Sequence, residues 1–274
     1  MSTTHAPIAA RTVDLGTPDV RRSWARDVGL VMARELRPVV REPFGLVFGL
    51  VQPLVFLGLF GPLLVGSTGG SDAIGPDVWQ WFVPAILVMT TLFGTSTTGS
   101  NLQFEMQTGA HERLLVTPLA RSAQLVGRSL KEMAPVVAQS LLVIAVMLPF
   151  GFSVDPVGGP LGLLLLALLG VGLGSLSYAL AIAVRKQEWM FWMVQQTVLF
   201  PAMILSGMLL PIDAGPRWMQ VAASLNPVAY VVDAERALFA GDLGTTALQG
   251  FVAALATAAV GLAVGIRTIV RSTD

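Results

Sequence analysis

The clearest apolar run of this chain is LGLLLLALLGVGLGSLSYALAIAV, residues 161–184. It has no charged residue, and a helix rising 1.5 Å per residue over this length would cross a hydrocarbon core about 30 Å thick. Backbone polar groups inside a bilayer must be hydrogen-bonded within their own segment, so we predict a membrane-spanning helix. Ser175 and Ser177, beside three glycines, favour close packing against neighbouring helices.

Five further segments share this apolar character, and none has a charged side chain in its central part. The chain is 54% hydrophobic and 12% charged, about half the charge of an ordinary soluble domain, and its mean hydropathy is +0.70. We therefore predict an all-α polytopic membrane protein with six transmembrane helices. They lie at about 44–66, 80–103, 133–152, 160–184, 189–211 and 247–268.

Six spans place both termini on one side of the membrane. All but two of the 17 basic residues fall on that same side, in the N-terminal tail, the 2–3 and 4–5 loops and the C-terminus. The exceptions are Arg217 and Arg236. Because positive charge concentrates on the cytoplasmic side, we expect both termini to be cytoplasmic.

The segment before the first span divides into two parts. Residues 1–19 are small and polar without periodicity, and we expect a disordered cytoplasmic tail. Residues 20–42 show helical amphipathicity, typical of a helix lying in the headgroup plane; an ordinary solvated helix of a cytosolic cap is the alternative. The predicted membrane-interface residues are Trp24, Arg26, Arg34, Arg37 and Arg41. Residues 20–274 then form one transmembrane domain.

The loop between spans 2 and 3 carries most of the remaining charge, in FEMQTGAHERLLVTPLARSAQLVGRSLKEM, residues 104–133. We expect span 2 to continue through Met106, a turn at Gly109, and a short amphipathic helix closed by Pro118. Ser122 is the expected N-cap of the helix that leads into span 3. A short helix that is apolar on one side and charged on the other is suited to docking into a partner's groove.

The sequence argues against catalysis by this chain. It has no cysteine and two histidines, His5 and His111, and no pattern of metal ligands, so no catalytic residue and no metal site are predicted. It has no P-loop, and no ionisable group lies at membrane depth to couple ion flow. A net charge of zero gives no indication of nucleic-acid binding. If the chain pumps a cargo, the energy must come from a partner.

The segment between spans 5 and 6 lies on the opposite side and is half apolar. RWMQVAASL and PVAYVVDAERALF predict two short amphipathic helices, re-entrant or interfacial, separated at Asn226 and Pro227. Asp233 and Arg236 on the second helix could form an outer gate or a dimer contact; a simple surface pair is the alternative.

The 2–3 loop resembles the cytoplasmic loop of ABC-2 type permeases, in which an acidic residue precedes GT-x-E-x-L-x-x-[TS]-P, an arginine and a GR pair entering the third span. Alanine stands at position 110 where that family usually has threonine. SGMLLPIDAGPRWMQVAASLNPVAYVVDAERALFAG resembles the second hallmark of the family, and the daunorubicin-resistance permeases are the most similar branch. The matching loop residues are Glu105, Gly109, Glu112, Leu114, Thr117, Pro118, Arg121, Gly127 and Arg128.

The resemblance implies partners and a location. Two permease chains, as a homodimer or paralogous heterodimer, would sit on two ABC ATP-binding subunits in a bacterial plasma (inner) membrane, in contact with lipid. This chain would bind no cofactor, and ATP and Mg would be held by the partner subunit. The loop helix at about 105–117 would couple ATP hydrolysis to the spans. The expected ATPase-coupling residues are Glu105, Gly109, His111, Glu112, Arg113, Leu114, Leu115, Thr117 and Pro118.

The expected function is that of the permease subunit of an ATP-driven exporter for an amphipathic drug or lipid-like metabolite. Export of a polysaccharide or lipid-linked glycan, or a non-transporting membrane anchor or sensor, are the alternatives. Uncharged polar side chains would line the path; interhelical hydrogen bonding is the other explanation for them. The substrate-path candidates are Thr91, Thr95, Thr98, Asn101, Gln139, Gln195 and Gln196.

Overall fold

The computed structural model describes residues 23–41, 44–68, 78–109, 120–185 and 187–271, and within these ranges it is helical with no strand. The predicted tail at 1–19 lies outside them. The helices are α1 (Trp24–Arg41), α2 (Phe44–Thr68), α3 (Val78–Gln107), α4 (Arg121–Lys131), α5 (Met133–Met147), α6 (Gly158–Ala183), α7 (Glu188–Ile204), α8 (Arg217–Ser224), α9 (Pro227–Phe239) and α10 (Thr245–Arg271).

Five helical segments in the described ranges are long and apolar enough to cross a membrane. They are α2, α3, the nearly continuous α4–α5 unit with its 3-10 turn (Arg121–Phe150), α6 and α10. The predicted fifth span, 189–211, corresponds to α7, which has 17 residues and is therefore about 26 Å long. It ends at Ile204, and Gly207 then turns the chain with φ +71°. The count of six spans is therefore not confirmed.

The centre of the bundle is α6, which packs against α3 and α10. A Cβ atom at Gly172 would lie 2.7 Å from the backbone nitrogen of Ala258, so α6 and α10 touch backbone to backbone. On the other side, the Gly99 amide of α3 donates to the Ser177 hydroxyl at 3.0 Å, and Ser175 bonds Ser129 at 2.8 Å. The prediction of close packing around Ser175 and Ser177 is confirmed.

The two ends of the bundle differ in what they carry. The end where α3 finishes and α4 begins, here called the loop end, also carries α1. The opposite end, here called the α9 end, carries α8 and α9. Asn226 starts α9: its side-chain oxygen accepts from the Val228 amide at 3.1 Å, and Pro227 takes the first helical position. The position of α8 and α9 relative to a membrane stays a prediction.

Helix α1 is joined to α4 along one edge. The indole nitrogen of Trp24 donates to the hydroxyl of Ser122 at 3.1 Å. The expectation that Ser122 caps α4 was wrong, because the N-cap position is Ala120, which has no side-chain cap. Further along, a Cβ at Gly127 would lie 2.8 Å from the Val28 carbonyl oxygen, so the glycine allows α1 and α4 to touch.

Candidate coupling and translocation site

Arg128 is the centre of a charged joint at the loop end. Its side chain is 5% exposed and forms ion pairs with Glu105 at the end of α3 and with Glu35 of α1, the latter at 3.5 Å. Its guanidinium also lies 5.9 Å from the centre of the Tyr178 ring in α6. One cation therefore connects four helices, α1, α3, α4 and α6, at the point where the 2–3 loop leaves the bundle.

The structure describes only residues 105–109 of the predicted coupling segment. Glu105 belongs to the Arg128 joint, and Gly109 closes α3 with φ +70°, a conformation that favours glycine. The predicted turn at Gly109 is confirmed. The other predicted coupling residues lie outside the described residues: His111, Glu112, Arg113, Leu114, Leu115, Thr117 and Pro118.

A second ion pair lies one turn further into the bundle, at the junction of α4 and α5. The ammonium of Lys131 is 3.1 Å from a carboxylate oxygen of Glu132, whose side chain is 5% exposed. Thr98 of α3 lies near this carboxylate. Gly174 of α6 makes room for it, because a Cβ there would lie 2.9 Å from Cγ of Glu132.

The Lys131–Glu132 pair forms one boundary of a cavity of about 630 Å³ among α2, α3, α5 and α7. Four of the seven predicted substrate-path residues line it: Thr98, Asn101, Gln139 and Gln196. Gln139 reaches across the cavity, so that a Cβ at Gly49 in α2 would lie 2.6 Å from its amide nitrogen. The remaining lining includes Gln52, Thr97 and the aromatic residues Phe48, Phe93, Trp192 and Phe200.

The other three predicted path residues lie elsewhere. Thr91 is fully buried and faces Gly170 of α6. Thr95 and Gln195 line a smaller, mostly apolar cavity of about 150 Å³ between α3, α6 and α7. At 100° per residue Thr91 and Thr95 point towards α6, whereas Asn101 is turned towards α2 and α5. The hydroxyl of Thr91 donates to the carbonyl of Leu87, and that of Thr95 donates to the carbonyl of Thr91. Such bonds back to the preceding turn are ordinary for threonine in a helix.

Sequence reasoning did not place Lys131 and Glu132 on the path, because it assigned them to the loop. The signal that could have found them is their position directly before the apolar run that starts at Met133. A charge pair at the first turn of a span lies near the membrane boundary, where a cargo could meet it.

A partly buried arginine, Arg236, organises the α9 end. Its guanidinium lies 4.0 Å from the centre of the Trp81 ring and donates to the carbonyls of Trp81 and Gly207, at 3.0 and 2.9 Å. Asp233 is 3.5 Å away. Burial lowers the pKa of Arg236 to about 10 and raises that of Asp233. Of the predicted outer-gate residues, Asp233 and Arg236 line a cavity of about 430 Å³, whereas Asn226 and Pro227 shape the start of α9.

Glu235, the neighbour of Arg236, faces a different side of α9. It is fully buried, and neither carboxylate oxygen has a hydrogen-bond partner among the described residues. It lies against α6, where a Cβ at Gly162 would be 2.8 Å from Oε2. Burial alone raises its pKa well above 4.5. No local pattern indicates this burial, since Glu235 stands in the charged run DAER.

The predicted membrane-interface residues lie on the solvent-accessible part of α1. Trp24 is 50% exposed, and Arg26, Arg34, Arg37 and Arg41 are all exposed. None of the four arginines forms an ion pair with another residue of the described ranges.

The described residues form a helical bundle with several membrane-length helices and a polar cavity between them. A charged joint lies beside one connecting loop. These features are typical of one class of protein, the membrane-embedded permease. The particular family follows from comparison with known proteins: residues 26–240 match the ABC-2 type transporter family. The chain belongs to that family, whose members are the transmembrane components of transporters and work with an ABC ATP-binding subunit.

Relatives over most of the chain carry transport names. A protein of Porphyra purpurea named as transport permease ycf38 is 27% identical over 216 residues, 78% of this chain and 74% of its own. The daunorubicin resistance ABC transporter permease protein DrrB1 of Streptomyces coeruleorubidus is 26% identical over 206 residues, 74% of this chain and 71% of its own. YbhR of Escherichia coli K12, named as a multidrug ABC transporter permease, is 25% identical over 170 residues, 60% of this chain and 45% of its own.

Proposed function

We propose that this chain is the permease subunit of an ATP-driven exporter, and that it moves an amphipathic drug or lipid-like metabolite. The observation that carries the proposal is the cavity of about 630 Å³ lined by Asn101, Gln139, Gln196 and the Lys131–Glu132 pair. Its lining combines uncharged amides and hydroxyls with aromatic rings. Such a surface can hold the polar and the apolar parts of one cargo at the same time.

The names of two relatives support this class of cargo. One is named for daunorubicin resistance and one as a multidrug permease. These names describe the relatives, and they make drug-like amphiphiles the first compounds to test on this chain.

The energy in this proposal comes from a separate ATP-binding subunit that holds ATP and Mg, so the chain itself is not an enzyme. The segment at about 105–117 is its docking element on the cytoplasmic side, where both termini also lie in a bacterial inner membrane. Two permease chains and two ATP-binding subunits complete the assembly. The position of the Arg128 joint supports this scheme, because a push on the loop would reach α1, α3, α4 and α6 through one cation.

The absence of cysteine from the natural sequence allows a direct test of the path. Single cysteines at Asn101, Gln139 and Gln196 should react with a small maleimide in reconstituted vesicles, and a transported drug should protect them. A cysteine at Val252, on the exposed face of α10, is the matched control and should show no protection. Equal labelling with and without every drug tested would remove the cavity from the path. Protection by lipid-linked glycans alone would change the cargo class to glycan.

The energy source is tested by reversing one charge in the loop. In vesicles that contain the ATP-binding subunit, Glu112→Lys should leave the protein inserted and reduce drug-stimulated ATP hydrolysis at least tenfold, because docking loses a charge contact and gains repulsion. Asp274→Lys at the chain end is the control with the same change in charge. Full transport by the Glu112→Lys variant would exclude a coupling role for this residue. No stimulation of the wild-type assembly by any cargo would favour an anchor or sensor.

A further inference from the structure

The lining of the cavity of about 630 Å³ includes two buried oxygen atoms that accept no hydrogen bond from the described part of the chain. One is Oε1 of Glu132, at the junction of α4 and α5, and the other is Oε1 of Gln196 in α7. Buried acceptors in proteins normally have a partner. Two such acceptors from different helices in the lining of one cavity are complementary to a ligand that brings hydrogen-bond donors.

The Lys131 ammonium is a poor geometric match for the Glu132 carboxylate. It lies 3.1 Å from Oε1, but without the alignment of a hydrogen bond. Residues adjacent in a helix point about 100° apart, so neighbouring side chains do not face each other. The pair therefore compensates the charge of the carboxylate and leaves its capacity to accept a hydrogen bond unused.

Glu132 is the fixed member of this ion pair and Lys131 is the mobile one. The Glu132 side chain is 5% exposed and packs against α6, where a Cβ at Gly174 would lie 2.9 Å from its Cγ. The Lys131 ammonium stands on a flexible four-carbon stem, which allows it to swing its charge away from the carboxylate and towards water. One ammonium group can therefore leave and another take its place while Glu132 stays where it is.

The rest of the lining favours a cation over an anion. Among the described residues that line the cavity, Lys131 and Glu132 are the only charged ones, so the departure of Lys131 leaves one negative charge. An anionic ligand would have to draw Lys131 away and leave the buried carboxylate without any counter-ion, which is costly. The aromatic part of the lining attracts ammonium groups through the ring faces; it consists of Phe48, Phe93, Trp192 and Phe200.

We propose that Glu132 is the counter-ion for a protonated amine on the cargo, and that this amine replaces the ammonium of Lys131. Oε1 of Gln196 accepts from a further donor of the cargo, and the aromatic rings hold its apolar part. The cargo class is then cationic amphiphiles rather than amphiphiles in general. This inference rests on the proposed function, since it takes the cavity to be the path.

The test compares three dansyl probes that share a decyl chain and end in an ammonium, a hydroxyl or a carboxylate. Their affinities for the full-length permease in phosphatidylcholine nanodiscs are measured by dansyl fluorescence, after subtraction of the signal from empty nanodiscs. The wild type should bind the ammonium probe about tenfold more tightly than the hydroxyl probe, because a charged hydrogen bond is stronger than a neutral one. The carboxylate probe should bind most weakly. Equal affinities, or tightest binding of the carboxylate probe, would overturn the proposal without any substitution.

Three variants then locate the preference. Glu132→Gln should bind the ammonium and hydroxyl probes about equally, whereas Glu188→Gln, which neutralises an exposed carboxyl group at the start of α7, should keep the wild-type preference. Lys131→Met removes the competing ammonium and should bind the ammonium probe several times more tightly than the wild type. A merely structural role for the pair would weaken all three probes alike in both Glu132→Gln and Lys131→Met. An ammonium preference that survives Glu132→Gln would overturn the assignment.

Maleimide labelling of Asn101→Cys, a residue of the same cavity, separates this inference from the proposed function. The ammonium probe should protect this cysteine at lower concentrations than the other two probes. Equal protection by all three would keep the cavity as the path and reject the amine. Protection by none of them would reject both.

Discussion

Arg128 at the loop end is buried and Arg236 at the α9 end is partly buried, and their charges are compensated in different ways. Arg128 is held by two carboxylates, from α1 and from α3. Arg236 is held by two backbone carbonyls and the face of Trp81, with one longer contact to Asp233. The loop end therefore joins separate helices by opposite charges, whereas the α9 end holds its cation mainly by fixed dipoles.

This difference indicates which end is built to move. An ion pair between side chains on separate helices can lengthen and reform as the helices shift, and its energy depends on the partners' charges. The direction of a backbone carbonyl is set by the conformation of its own segment, so the Arg236 cluster favours one geometry. The joint that can change lies beside the loop where we propose that the ATP-binding subunit docks.

The largest loss of stability should follow removal of Arg128, the cation of the loop end. Arg128→Met leaves Glu35 and Glu105 facing each other without compensation, which should cost about 3–5 kcal/mol. We expect a fall in melting temperature of roughly 6–10 °C, measured by tryptophan fluorescence in detergent. Adding Glu35→Gln and Glu105→Gln to the same chain should recover most of the loss. If Arg128→Met alone melted at the wild-type temperature, Arg128 would not be needed to compensate the charges of Glu35 and Glu105.

Removing the cation of the α9 end should have a smaller effect. Arg236→Gln withdraws the donors to the Trp81 and Gly207 carbonyls and should cost about 2 kcal/mol, the range for buried acceptors left without partners. Because no carboxylate pair is exposed to repulsion, neutralising Asp233 in the same chain should restore little. A recovery as large as that at the loop end would mean that Arg236 is held by charge after all.

At the α9 end even a buried carboxyl group, that of Glu235, has no ion pair within the described part of the chain. Since burial raises its pKa in the folded state above that of the unfolded chain, the folded state binds more protons between those two values. The stability contributed by protonated Glu235 is therefore present at low pH and lost as the pH rises. At pH 8 the Glu235→Gln variant should melt at or above the wild-type temperature. The melting temperature should rise by roughly 2 °C for each kcal/mol of unfolding free energy gained, and this gain should vanish near pH 4.

The control for this pH dependence is Glu188→Gln, which neutralises an exposed carboxyl group at the start of α7. Its effect should be small at every pH. A Glu235→Gln variant less stable than the wild type across the whole range would contradict the absence of a favourable partner for this carboxylate.

The smallest change in stability is expected when Asp233 is neutralised. Its side chain is 61% exposed and 3.5 Å from Arg236, in an i,i+3 pair of the ordinary surface kind. Asp233→Asn should change stability by less than about 1 kcal/mol. A loss comparable to that of Arg236→Gln would show that Asp233 supports the whole cluster and would make the two ends alike.

Local patterns in the sequence predicted much of the fold. The apolar run 161–184 became α6, the turn at Gly109 has the expected left-handed conformation, and Asn226–Pro227 starts α9. Each of these features depends on residues that are close in the chain. The first follows from the length of the apolar run, the second from a residue without a Cβ, and the third from a capping side chain with proline at the first helical position. The resemblance in the 2–3 loop also led to the correct family.

Hydrophobicity and charge are properties of single residues and short runs, so the sequence alone indicates which segments are suited to lipid and which to water. Which side chains come into contact depends on the tertiary structure. Thr91 and Asn101 belong to one polar stretch, yet the rotation of α3 sends one into the α6 contact and the other to the cavity. Arg128 finds Glu35, 93 positions before it, through the contact of α1 with α4 that Gly127 permits. Such pairings depend on the relative rotation and distance of whole helices, which no local pattern records.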